Sequence, residues 1–106
     1  WSYTEDAPLS RKALERMIKR EMPETIYRCK GFVHLADDSD NRYVLQVVGR
    51  RVDLVLDGPW GSRLPQNRIV AIAHRTALDP VQMTALFDDC RPVSDMQQPA
   101  LKQAAT

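Results

Sequence analysis

The chain has 106 residues, of which 43% are hydrophobic and 27% are charged, and its formal net charge is +1. These values are typical of one small globular domain, and they give no electrostatic reason to expect nucleic acid or a membrane as a partner. No apolar run approaches the roughly 18 residues that span a bilayer, and the polar, acidic start WSYTEDAPLS is not typical of a signal peptide.

The N-terminal part of the chain predicts a short strand followed by an amphipathic helix. Residues 1–4 alternate large and polar side chains, as a strand does. Ser10 is the expected N-cap of the helix, because its hydroxyl can accept a hydrogen bond from the free amides of the first turn, and Pro23 ends the helix. Between these two residues, apolar side chains recur at helical spacing at Leu14, Met17, Ile18 and Met22.

The middle of the chain predicts four strands. Residues 25–36, 42–49 and 50–56 are joined by the turn sequence DDSDN and by Gly49, which suits a tight connection. Links of this length favour antiparallel pairing. The segment RIVAIAH, residues 68–74, is β-branched and nearly all apolar, so it predicts a central strand that is buried on both faces.

The last helix has a clear start signal in the sequence LDP. Asp79 can cap the helix and Pro80 suits its first position, and Pro92 ends it. The apolar stripe of this helix comprises Met83, Leu86, Phe87 and Cys90. We therefore expect residues 1–91 to form the domain and residues 92–106 to form a flexible tail.

These elements predict an α+β two-layer sandwich with a mainly antiparallel sheet. The element order is β-α-β-β-β-β-α, and two amphipathic helices on one face of the sheet would bury its apolar side. The chain begins on a tryptophan rather than on methionine, so we expect it to be a piece of a longer protein.

The sequence contains none of the common catalytic or phosphate-binding motifs. It lacks G-x-x-x-x-G-K-[ST], G-x-G-x-x-G, C-x-x-C, H-E-x-x-H and G-x-S-x-G. Two acidic pairs, Asp37/Asp38 and Asp88/Asp89, fall in a turn and on a helix surface, where we expect them to be solvated. We therefore predict that this chain is not an enzyme and contains no catalytic residue.

The strand IYRCKGFVHL, residues 26–35, combines cations, a thiol and an imidazole. Alternation along the strand predicts that one face carries Arg28, Lys30, Phe32 and His34. Cys29 then lies on the apolar face as a small core residue, and Gly31, on that same face, leaves room for a helix to pack closely. The mixed face predicts a docking surface, an anion site, or a solvated face with one exposed phenylalanine.

Cysteine and histidine are also zinc ligands, so metal binding has to be considered. The two cysteines, Cys29 and Cys90, are too few for a disulfide framework. Without an export signal, they favour reduced thiols in the cytoplasm. Cys29 and His34 point to opposite faces of a regular strand, and no close pair has the spacing of a structural zinc site. The metal ligands are therefore left unknown, with His34 and His74 as the candidate pair.

Four segments carry a family likeness: YRCKGFVHL, LQVVGRRVDL, GPWG and RIVAIAHRTALDPVQMTALFDDC. Together they resemble the C-terminal domain of the CobW family of P-loop metallochaperone GTPases, the cobalamin synthesis proteins. The most specific part is Arg-x-Lys-Gly-Phe, beginning at Arg28. The chain departs from the family pattern at Cys29, where alanine is common, and at Ala73, where glycine is usual.

The resemblance implies a role for the chain within a larger protein. The family's GTP-binding loop and its Cys-x-Cys-Cys metal motif belong to an N-terminal domain, and nothing in this chain matches either. The chain is thus expected to be an isolated accessory domain with a protein-interaction or regulatory role in metal delivery, metal homeostasis or cobalamin biosynthesis. The alternative is a small binding domain for an anionic ligand or a metal ion.

The resemblance also implies cofactors and partners of the parent protein. We expect no cofactor in this chain, whereas the parent would use GTP, magnesium and a transition metal such as zinc or cobalt. The expected partners are the N-terminal GTPase domain and a client metalloprotein. Arg28, Lys30, Phe32 and His34 are the residues expected to form the docking face.

Overall fold

The computed structural model describes residues 1–73 and 78–92, with only the backbone described at Tyr27. Within these residues it contains five strands and two α-helices, as the sequence predicts. In chain order they are β1 Ser2–Glu5, α1 Arg11–Arg20, β2 Ile26–His34, β3 Asn41–Val48, β4 Arg51–Pro59, β5 Asn67–Ala73 and α2 Pro80–Asp88. A short 3-10 helix, Ala36–Asp38, lies between β2 and β3.

The strands form one sheet in the order β1-β5-β2-β3-β4. Every neighbouring pair in this sheet is antiparallel. The predicted α+β class and element order are therefore confirmed. β2 is the middle strand, so its side chains lie at the centre of both faces of the sheet.

Both helices begin where their sequences place a capping residue. The Ser10 hydroxyl accepts a hydrogen bond from the backbone N–H of Ala13 at 3.2 Å. The Asp79 carboxylate accepts from the N–H groups of Val81 at 3.0 Å and Gln82 at 3.4 Å. These bonds satisfy amides of the first turn that have no partner within the helix.

The core lies between the helices and the covered face of the sheet. Its fully or almost fully buried side chains come from every α-helix and strand except β4, and include Leu14, Ile18, Cys29, Val33, Leu45, Ile69, Met83 and Phe87. At one end, the ring of Phe87 packs against Trp1 and Tyr3, with centroid distances of 5.5 and 5.3 Å. The apolar stripes predicted for α1 and α2 thus face the sheet.

β5 corrects one expectation, because it is not buried on both faces. Ile69 and Ala71 are buried, whereas the alternate residues Arg68, Val70 and Ile72 are exposed. The strand does lie inside the sheet, between β1 and β2, but no element of the described residues covers its second face. Its apolar composition therefore places exposed valine and isoleucine side chains on that second face.

Gly31 is required for a different reason from the one expected. A Cβ atom at this position would overlap the carbonyl oxygen of Arg68 and would lie 2.8 Å from the Cα atom of Ile69. The close neighbour is therefore the backbone of β5 and not a helix. Glycine allows β2 and β5 to approach each other at this point.

Two expectations fall outside the residues that the structure describes. His74, the second candidate metal ligand, belongs to the segment 74–77. The tail predicted for residues 92–106 lies outside the described residues from residue 93 onward, so its flexibility stays a prediction.

Candidate functional site

The candidate site is the face of the sheet opposite the helices, here called the open face. It is built from alternate residues of the three central strands. In the observed register, Arg28 of β2 lies between Val48 and Ile72, and Lys30 lies between Gln46 and Val70. Phe32 follows, between Val44 and Arg68, and His34 ends the row opposite Arg42. The alternation predicted for Arg28, Lys30, Phe32 and His34 is therefore observed.

The free end of the open face is a shallow hollow around Arg28 and Lys30. The hollow has a volume of about 350 Å³, and its lining includes Gln46, Val48, Val70 and Ile72. The three apolar side chains are 59%, 47% and 45% exposed. Among the described residues, neither Arg28 nor Lys30 has a hydrogen bond or ion pair with another side chain, so both charges are available to a partner.

The held end of the open face is formed by Phe32 and His34, whose side chains are already engaged. The guanidinium of Arg42 lies over the Phe32 ring at 4.1 Å and pairs with Asp57 at 2.6 Å. Nδ1 of His34 is 3.0 Å from the carbonyl oxygen of Asp6, and the imidazole makes an edge contact with Trp60 at 5.9 Å. These contacts fix both rings in place.

Asn67 organises the held end, and the sequence analysis missed it. It is fully buried, and its Oδ1 accepts from the backbone N–H of His34 at 2.7 Å. Its Nδ2 donates to the carbonyl oxygens of Glu5 and Ala7 at 2.9 and 2.8 Å. One side chain therefore ties β5 to β2, to the last residue of β1 and to the segment that follows β1. The only sequence signal was a polar residue two positions before Ile69, where the apolar run of β5 begins.

The thiols lie on the covered face, away from the open face. Burial raises the pKa of Cys29 to about 11 and that of Cys90 to about 12, so both are protonated at neutral pH. Cys29 and His34 point to opposite faces, as expected. Within the described residues, no group of three or more histidine, cysteine, aspartate or glutamate side chains is placed to hold a metal ion.

The two acidic pairs are only partly solvated, which corrects the expectation. Asp38 accepts a hydrogen bond from the Tyr43 hydroxyl at 2.7 Å, and Asp88 accepts one from the Tyr3 hydroxyl at 2.8 Å. Asp37 pairs with Arg11 at 2.8 Å, and this guanidinium lowers the pKa of the Asp37 carboxyl. Asp38 thus ties the 3-10 helix to β3, Asp88 ties α2 to β1, and Asp37 ties the 3-10 helix to α1.

Comparison with known proteins identifies relatives of the whole fold. A family model described as the cobalamin synthesis protein CobW C-terminal domain matches residues 1–91. No curated protein sequence matches the chain. Within the described residues, no helix is long and apolar enough to cross a membrane.

Two solved structures are also similar to this chain. One is the Zn(II)-bound YjiA GTPase from E. coli, with a TM-score of 0.70 and 25% identity. The other is a Zn(II)-bound triple mutant of the YjiA GTPase, with a TM-score of 0.69 and the same identity. Each match covers 87% of this chain and 29% of the YjiA chain. The chain therefore spans less than a third of the length of these relatives.

Proposed function

Because this chain belongs to the family of cobalamin synthesis protein CobW C-terminal domains, we propose that it is the accessory domain of a larger GTPase. In this proposal its open face docks onto the GTPase domain of the same parent protein. The parent would act in metal delivery or cobalamin biosynthesis in the cytoplasm. The solved relatives, zinc-bound GTPases of which this fold makes up 29%, support the assignment.

The observation that carries the docking proposal is the free end of the open face. Protein interfaces combine an apolar centre with arginine and aromatic residues at anchor positions. Here Val48, Val70 and Ile72 supply exposed apolar surface, and Arg28 and Lys30 supply unpaired charge beside it. Phe32 and His34 extend the same surface toward the held end. An acidic, partly apolar patch on the partner would complement it.

In the same proposal, the chemistry of the parent lies outside this chain. Phosphate binding by a GTPase needs a glycine-rich loop whose backbone amides surround the phosphates. The four glycines of this chain are not arranged in such a loop. GTP, magnesium and a transition metal such as zinc or cobalt would bind to the GTPase domain, and this chain would set how that domain meets a client metalloprotein.

The test is a binding measurement between this chain and the GTPase domain of its parent, expressed as a separate protein. We expect saturable binding by calorimetry, and we expect Arg28→Ala/Lys30→Ala to weaken it by about tenfold or more, the scale of two charge-assisted contacts. The matched control is Lys12→Ala/Arg16→Ala, which removes the same two charge types from the exposed side of α1.

Three results would contradict the proposal. The first is no binding to the GTPase domain in any nucleotide state. The second is equal weakening by the control variant, which would indicate general charge attraction. The third is binding of the GTPase domain with unchanged affinity after both cations of the free end are removed, since the contact would then lie elsewhere.

A further inference from the structure

A second hollow lies at the held end of the open face, where the loop after β4 meets the sheet. Its volume is about 230 Å³, and Phe32, Arg42, Trp60, Arg63 and Arg68 contribute to its lining. We call it the arginine hollow. Three arginines, from β3, β5 and the loop, thus line one hollow together with two aromatic residues, and the guanidinium of Arg42 lies over the Phe32 ring.

The arginine hollow has more hydrogen-bond donors than acceptors. Arg42 donates twice to one oxygen of Asp57, at 2.8 and 2.6 Å. Arg63 uses its Nε to reach the carbonyl oxygen of Trp60 at 3.2 Å, which leaves its terminal nitrogens without an acceptor among the described residues. The guanidinium of Arg68 has no partner within the same part of the chain. Of the three arginines, only Arg42 is therefore paired with a carboxylate among the described residues.

Trp60 adds a further unsatisfied donor at the same place. Its side chain is 7% exposed, and its indole Nε1 is buried without an acceptor among the residues that the structure describes. A buried polar group without a partner costs free energy. Because Nε1 itself has no accessible surface, the arginines that line the hollow would make the contacts to an acceptor-rich ligand.

We propose that the arginine hollow binds a carboxylate side chain on an extended acidic peptide segment of a partner protein. The guanidinium group matches a carboxylate, and Arg42 already pairs with the carboxylate of Asp57. The volume lies below the roughly 300–1,000 Å³ of small-molecule sites, so it fits one side chain. Leu64, which is 86% exposed at the rim, offers apolar contact to the rest of the peptide.

This inference does not depend on docking at the free end, because different charged residues carry it. Arg63 and Arg68 carry it, whereas Arg28 and Lys30 carry the proposed function. The two can therefore fail separately. A chain that binds the GTPase domain but no acidic peptide would contradict only this inference.

The experiment follows the indole N–H signals of both tryptophans by heteronuclear NMR during peptide titration. Trp60 lines the hollow, while Trp1 stacks on Tyr3 and Phe87 in the core and serves as the internal reference. The probes are a blocked five-residue peptide with three glutamates, its counterpart with glutamines, and inorganic phosphate. We expect only the glutamate peptide to move the Trp60 signal saturably.

Variants then test whether the named arginines hold the peptide. Arg68→Gln and Arg63→Gln should each weaken binding by about tenfold, the effect of losing one charge-assisted hydrogen bond. A Trp1 signal that is unchanged in the variant without peptide shows that the variant folds. If Arg68→Gln does not fold, Arg63→Gln, which changes only the loop, tests the proposal alone. Arg16→Gln on α1 is the control and should bind with unchanged affinity.

Four outcomes would overturn the proposal. An equal shift of the Trp60 signal with the glutamine peptide would show that binding does not need a carboxylate. An equal response to phosphate would make the hollow a general anion site. Equal weakening by Arg16→Gln would indicate non-specific charge attraction. Unchanged peptide affinity in both Arg63→Gln and Arg68→Gln would show that the peptide binds elsewhere.

Discussion

The two ends of the open face share the strand β2 but have different surroundings. At the free end, Arg28 and Lys30 have no partner among the described residues and border exposed apolar side chains. At the held end, Phe32 lies under Arg42, and His34 contacts Asp6 and Trp60. The strand β2 supplies all four predicted residues, yet only two of them are unengaged.

This difference teaches that alternation along a strand is not enough to define a binding surface. Alternation fixes which side chains share a face, but the neighbouring strands and loops decide which of them are already bonded. We therefore expect changes at the held end to lower stability, and changes at the free end to lower binding with little effect on stability. A substitution on the covered face, where side chains are fully buried, gives the loss of stability with which both kinds of change are compared.

The largest expected effect lies on that covered face. Phe87→Ala should lower the free energy of unfolding by about 3–5 kcal/mol, because it removes a fully buried ring that packs against Trp1 and Tyr3. Urea denaturation followed by circular dichroism measures it. A midpoint unchanged within error would show that α2 does not face the core.

At the held end, Asn67→Ala should lower the free energy of unfolding by about 3 kcal/mol. It would leave the N–H of His34 and the carbonyl oxygens of Glu5 and Ala7 without their buried partner. Gln46→Ala at the free end is the matched amide control and should change it by less than about 0.5 kcal/mol. Equal losses in the two variants would remove the contrast between the ends.

Alkaline pH tests whether the covered face excludes water. Burial raises the pKa of Cys29 to about 11 and of Cys90 to about 12, from 9.0 for an exposed thiol. As the pH rises, the thiols therefore lose their protons first in the unfolded chain. The stability that thiol burial contributes is fully present below pH 9 and falls as the pH rises toward 12. Between pH 8 and pH 10 we expect the two thiols together to cause a loss of about 3 kcal/mol. In Cys29→Ala/Cys90→Ala the same pH step should cost clearly less, and an equal slope would contradict thiol burial as its cause.

The smallest expected effect on stability is at the free end. Arg28→Ala/Lys30→Ala should shift the free energy of unfolding by less than about 1 kcal/mol, since exposed substitutions away from special features usually change it by under about 0.5 kcal/mol each. Denaturation of the variant beside the unmodified chain measures the shift. Unfolding of the double variant would show that these two cations are structural.

Most of the fold could be predicted because its signals are local. Ser10 and Asp79 cap the helices as their sequences indicate, and the apolar stripe of α1 predicted its buried face. β5 was predicted incorrectly because an apolar strand shows the same pattern whether its second face is covered or exposed. Nothing within residues 68–74 reveals that Val70 and Ile72 lie uncovered.

The candidate site was only half predictable for a related reason. Arg28 and Lys30 needed only the alternation of β2. The ring of His34 is engaged by Asp6 and Trp60, and its backbone N–H by Asn67, 33 residues away. The arginine hollow joins β3, β5 and a loop. Such contacts are set by sheet register and by the path of the loop after β4, which alternation and propensity do not encode.

The central claim, that the free end of the open face meets the GTPase domain, is tested most directly by methyl NMR. The chain is labelled at valine, leucine and isoleucine methyl groups and titrated with the unlabelled GTPase domain of its parent. We predict that the signals of Val48, Val70 and Ile72 shift or broaden, while Val81, which is 78% exposed on α2, does not change. Shifts at Val81 with no change at the three free-end residues would contradict the account.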